Sequence, residues 1–211
     1  MVKIYVEGGG DAAALKTACR EGFTSFFEKA GLKDFMPRVV ACGGRQDAFE
    51  SYCTAVQSGD DAVLLVDSEA PVLAQHQQGD PADWQPWQHL KQRQGDGWDK
   101  PVKGVDTDCH LMVQCMESWF LADRATLKKF FGQGFKEKSL PAAGNAIEAV
   151  SKVTVYQSLA NATKQCKTKE QYGKGEHSFK LLALVNPVTV TAASPWAARL
   201  VVQLKTKMGA P

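Results

Sequence analysis

Three acidic residues stand at the ends of apolar, strand-like runs. Glu7 follows the alternating segment that begins at Lys3, and Asp67 and Glu69 close the unbroken apolar run 62–67, AVLLVD. In extended chain, residues two apart point to the same side, so Asp67 and Glu69 are expected to project together. Carboxylates that converge repel one another unless a cation lies between them. Hard oxygen donors of this kind suit Mg²⁺ or Mn²⁺, which take a few carboxylates and complete their shell with water and phosphate. Such an ion can activate water and stabilise the leaving oxygen of a phosphodiester. The sequence therefore predicts a metal site at Glu7, Asp67 and Glu69.

Other residues are candidates beside this trio. Gly8, Gly9 and Gly10 form a turn ahead of a helical pattern, and their amides can approach a phosphate. The competing reading is a tight turn that needs positive φ. The turn has neither the GK[ST] of a nucleotide loop nor the GxGxxG spacing. Glu117 follows the fourth strand-like run and can serve a second metal, or simply favour the first turn of a helix. The segment 164–180, KQCKTKEQYGKGEHSFK, interleaves lysines with Tyr172 and His177. Lys174 and Lys180 are candidates for phosphate contact, and Lys174 and His177 for donation to a scissile phosphate. A solvated loop is the plainer alternative. His76, His89 and His110 have no paired spacing and read as structural. Trp84, Trp87 and Trp98 either stack bases or pack a long loop onto the body, and packing is the reading adopted.

These groups need a frame. Behind Glu7 and the glycine turn, Asp11 is expected to cap a helix whose apolar face runs through Leu15, Ala18, Cys19, Gly22, Phe23, Phe26, Phe27 and Ala30, with Gly31 as its stop. A second strand is expected over 37–42, a helix from there to Gly59, and a fourth strand over 110–116. A helix over 117–131 follows, with Asp123 as a local polar group. Further helical patterns lie near 144–150, 154–164, 178–184 and 195–208, the last with Ser194 as cap and Pro195 first inside. Strand–helix alternation with a wholly apolar third strand indicates a parallel α/β sheet. Residues 70–108, broken by four prolines and carrying three tryptophans, read as an irregular insertion. The expected organisation is an α/β domain over 1–135 and a basic, mainly helical C-terminal extension over 136–211.

The 211 residues suffice for one domain with a real core. No apolar run reaches the length of a membrane span, and no signal-peptide pattern opens the chain. Six cysteines without CxxC spacing argue against a zinc ribbon and for a reducing, cytoplasmic setting. The formal net charge of +2 conceals an asymmetry: residues 151–211 carry nine Lys/Arg against two Asp/Glu. A basic segment beside an acidic site suits a polyanionic ligand.

Glu7 after the first strand, the glycine turn, and the acidic pair closing the third strand together resemble the Toprim domain of topoisomerases, primases and overcoming-lysogenization-defect nucleases, over about residues 2–120. The usual pair there is Asp-x-Asp, whereas this chain has Asp67-Ser68-Glu69. The longer strings EGGGD, VDSEAP, MESWFLAD and HSFKLLALVNP…SPWAARL extend the likeness to small stand-alone Toprim-like bacterial proteins, similar to the nuclease partners of ABC-type ATPases in phage defence. The resemblance implies a Rossmann-like, mainly parallel sheet flanked by helices. It also implies Mg²⁺ or Mn²⁺ at Glu7, Asp67 and Glu69, with Glu7 as metal ligand or catalytic acid/base, and an endonuclease acting on DNA or RNA with an ABC-type ATPase as possible partner. Two rivals remain: a non-catalytic nucleic-acid-binding adaptor docked on such an ATPase, and a phosphate-ester enzyme acting on small molecules.

Overall fold

A computed structural model describes residues 1–144 and 146–211. Its strands are β1 (Lys3–Gly9), β2 (Arg38–Gly43), β3 (Ala62–Asp67) and β4 (Cys109–Met112). Among the described residues they form one all-parallel sheet in the order β2-β1-β3-β4. Every residue of β3 is buried, as its unbroken apolar run requires when both faces are covered. The chain steps from β1 outward to β2, then returns to lay β3 on the other side of β1. The carboxyl ends of β1 and β3 therefore flank the switch point at which open parallel sheets hold their ligands.

One face of the sheet is covered by α1 (Ala13–Phe27), which buries Cys19, Gly22, Phe23, Phe26 and Phe27 at helical spacing. Its last turn widens into a π-type turn, Glu28–Leu32, in which Gly31 takes φ 93°. Asp11 does not cap this helix: the capping position is Ala12, with no side-chain cap, and Asp11 is exposed. The glycine turn carries the chain one residue further before the helix begins. The opposite face holds α2 (Arg45–Gln57), which buries Ala48, Tyr52, Ala55 and Val56.

The segment 70–108 contains short 3₁₀ turns and α3 (Pro86–Gln92). Its three tryptophans are buried in the core on the α2 side. Trp98 stacks on Phe49 with ring centroids 4.4 Å apart. They anchor the insertion and are not available to stack on bases.

The fourth strand ends at Met112, short of the expected 116, and a cis peptide joins Val113 to Gln114. The helix expected over 117–131 is two pieces. A 3₁₀ run, Met116–Ala122, gives way to α4 (Arg124–Phe131) at Asp123, which accepts from the Thr126 amide and hydroxyl and from the Asn186 amide. The cap interrupts the helix because its carboxylate takes over the Thr126 amide, in the first turn of α4. The pattern near 144–150 reduces to a single 3₁₀ turn, Ile147–Ala149, and its Asn145 lies outside the described residues. Then come α5 (Lys152–Thr163), α6 (Ser178–Leu184), α7 (Pro187–Ala193) and α8 (Pro195–Met208). The last has the expected Ser194 cap, 3.0 Å from the Ala197 amide. Helix α7 had no counterpart in the sequence reading, because its Val-Thr-Val-Thr run lacks helical propensity. Residues of α1 and of the C-terminal helices share one continuous core. No helix among the described residues is long and apolar enough to cross a membrane.

Candidate metal centre and adjoining cavity

Glu7, Asp67 and Glu69 converge, with ligand oxygens all within 4.8 Å of one another. Parallel pairing of β1 with β3 brings the first two together: Glu7 Oε2 accepts the Asp67 amide at 3.1 Å. Glu69 arrives by a route that strand alternation does not describe. β3 stops at Asp67, and Glu69 has φ 63°, a left-handed conformation uncommon outside glycine. The pair thus meets across a turn, not along extended chain. The Glu69 amide donates to the Gln114 carbonyl at 2.9 Å, which holds that turn in place. His89 Nε2 donates to the Ser68 carbonyl at 2.8 Å and steadies the same turn.

Asp67 is 4% exposed. Its Oδ1 accepts the Met116 amide at 2.8 Å. Burial, and then the neighbouring Glu7 charge, push its carboxyl above the usual carboxylate range. Lys152 offsets this. Its Nζ lies 3.1 Å from Asp67 Oδ2 and 2.5 Å from Glu69 Oε1. Burial alone would lower the Lys152 ammonium, but Asp67 and Glu69 outweigh it and hold it above the ordinary lysine value. The two shifts oppose each other, since a protonated Asp67 would forfeit the pairing. The ion-pair distances decide in favour of the charged pair. Lys152 is the first residue of α5, and its amide faces Gln114 Oε1 at 3.4 Å.

Arg45 guards the Glu7 side. It opens α2, donates to Glu7 Oε2 at 3.2 Å, and donates to the Asp67 carbonyl. Asp96, from the insertion, grips the same guanidinium in a two-pronged pair at 2.8 and 2.6 Å, and Trp98 lies under it at 4.9 Å. Burial works against ionised Asp96, but Arg45 and Arg93 hold its carboxyl below the usual range. Lys152, Arg45 and Asp96 escaped the sequence reading. None has a local spacing signal, and each reaches the site through tertiary contact.

Glu117 does not join the acidic trio. It is 1% exposed and accepts from Tyr156 at 2.9 Å, Tyr172 at 3.2 Å and Ser178 at 3.0 Å. It lines a cavity of about 340 Å³, which Glu7 and Asp67 also line. Gly8, Gly9 and Gly10 border the same cavity, all with positive φ. A Cβ at Gly43 would stand 2.6 Å from the Gly10 carbonyl oxygen, so β2 and the turn meet without side chains. Lys174 lines the mouth, with its ammonium 5.3 Å from the centre of the Tyr156 ring.

Two expected groups lie elsewhere. His177 is 3% exposed and packs against Phe130, Phe131 and Tyr172. Its Nδ1 accepts the Gly173 amide at 3.0 Å, and burial lowers its pKa. It does not line the cavity, so it is not placed to donate a proton there. Lys180 is exposed on α6 and likewise outside the cavity lining.

No curated protein and no solved structure matches the chain. Residues 6–205 match the family described as Domain of unknown function (DUF4276), and over that span the chain belongs to this family.

Proposed function

We propose that this chain is a divalent-metal-dependent phosphodiesterase that cuts nucleic acid. The observation that carries the reading is the convergence of Glu7, Asp67 and Glu69 at the switch point of a parallel sheet. The donor set fits Mg²⁺ or Mn²⁺: three carboxylates, two of them already drawn to one cationic group, Lys152 Nζ. The chemistry such an ion supplies is activation of water and neutralisation of charge on phosphate oxygens. This chain's own residues do the rest. Arg45 and the Asp67 amide fix Glu7, and the Met116 amide fixes Asp67. Lys152, released from the acids, is within reach to pair with the phosphate. Lys174 at the mouth and the basic segment 164–180 attract the polyanion. The likeness to defence nucleases adds an ABC-type ATPase as the expected protein partner.

The test is calorimetric titration of Mn²⁺ into wild type and Asp67→Ala/Glu69→Ala, with a nicking assay on the same samples. Binding and cleavage in wild type alone support the reading. Cleavage that survives in the double variant refutes it. One observation favours the adaptor instead: Lys152 and Arg45 already pair with the three acids, so part of the cluster's charge is met without an ion. Wild type that binds nucleic acid but takes up no Mn²⁺ would establish that second reading.

A further inference from the structure

The cavity beside the acidic trio has more room than a metal and its waters need, and its walls are of a different kind. Leu15, Met112, Met116 and Phe179 supply apolar surface, while Glu7, Asp67 and Glu117 supply acceptors. Its volume, about 340 Å³, falls at the small end of ligand sites, the scale of one heterocycle with its sugar. Glu117 is held rigidly by three hydroxyls, two on Oε1 and one on Oε2. A carboxylate accepts about four hydrogen bonds, so Oε2, with Tyr156 as its one donor, has room for another. An N–H on the edge of a ring would satisfy it.

From this we infer that the cavity receives a single unpaired nucleobase, and that the substrate is a strand whose base is splayed out or unpaired next to the phosphate being cut. The inference rests on the phosphodiesterase reading and names its substrate class. Burial of the acids supports it. Asp67, the deepest of the trio, is 4% exposed, so a phosphate reaches it only where the backbone bends inward. A stiff duplex lying across the surface cannot do this, whereas a single strand or a flipped nucleotide can. Phe179 and the two methionines offer the polarisable faces against which bases settle. Lys174 at the mouth is placed for the flanking phosphate. Gly175 and Leu15 are neighbours in the lining: a Cβ on Gly175 would stand 3.7 Å from Leu15 Cδ2.

The test uses fluorescence anisotropy in metal-free buffer, so it does not depend on cation binding. The full chain is titrated into a labelled single strand about 12 nucleotides long, the same strand in duplex, and an abasic strand of equal length, as DNA and as RNA. Wild type is expected to bind the base-bearing single strand at least tenfold tighter than either control. Leu15→Trp, which fills the mouth from a half-buried position, should bring that strand to the abasic level and leave abasic binding unchanged. Leu15→Phe serves if the Trp variant does not melt as a folded protein. Equal affinity of wild type for all three ligands, absence of binding to any, or full base preference in a folded Leu15 variant would overturn the inference. Failure of the metal reading would show separately, as absence of Mn²⁺ uptake with base preference intact.

Discussion

Replacing Lys152 by Met keeps the aliphatic stem and deletes the charge, leaving Asp67 and Glu69 face to face. Breaking a fully buried pair costs about 3–5 kcal/mol. Here the Lys152 and Glu69 side chains are 20% and 21% exposed, so water relieves part of the repulsion, and a loss of about 2 kcal/mol is expected. For a chain of this size each kcal/mol moves Tm by about 2–4 °C, which puts the fall at roughly 4–8 °C in metal-free buffer. Mn²⁺ should then reverse the order of response. Wild type must give up the Lys152 contacts to admit an ion, whereas the variant gains a cation where it has none. An ion at a hundred times its Kd adds about 2.7 kcal/mol, so the variant should recover most or all of its loss while wild type gains less. Differential scanning fluorimetry across an Mn²⁺ series, with EDTA as reference, reads both effects. An unchanged Tm in EDTA, or an equal Mn²⁺ shift in the two proteins, would refute the claim that Lys152 and a cation compete for one place.

Asp96→Asn should loosen Arg45 from Glu7 and weaken Mn²⁺ binding by about 10–100-fold, the usual effect of losing a residue that orients a ligand; calorimetry measures it. Asp123→Ala removes three hydrogen bonds to a carboxylate and should cost about 2 kcal/mol at pH 7 in urea unfolding. Burial opposes ionisation of Asp123, but Thr126 and Asn186 outweigh it and lower the folded pKa. A depressed carboxylate stabilises the fold above its unfolded value of about 4, and the gain is lost as pH falls through the folded value. The gap between wild type and variant should therefore close toward pH 3. Gly43→Ala places a Cβ 2.6 Å from the Gly10 carbonyl at φ 88° and should lower Tm by several degrees while distorting the cavity rim.

The sheet was legible because its signals are local. AVLLVD reads as a strand covered on both faces, and the acids at its end and in β1 meet through the parallel pairing. Glu69 was located correctly by an argument that does not hold, since a left-handed turn places it and not the pleat. Lys152 was invisible: a lysine opening a helix looks solvated until α5 packs it against residues 83 and 85 positions earlier. Arg45 and Asp96 are 51 positions apart and carry no mutual pattern. His177 misled for the opposite reason. Its lysine-rich neighbourhood suggested donation to a phosphate, but the ring turns inward among aromatics.

The span between Asp67 and Lys152 also has a consequence for biosynthesis. A ribosome adding about 5–20 residues per second completes β1 and β3 on the order of ten seconds before Lys152 has been made. During that interval the growing chain carries three acids with no lysine to close them. Neighbouring strands can pair, but the carboxyl end of the sheet stays under electrostatic tension until α5 docks. The pocket is therefore among the last parts of the molecule to mature, and a truncated translation product ending before α5 would display the acids without the geometry to use them.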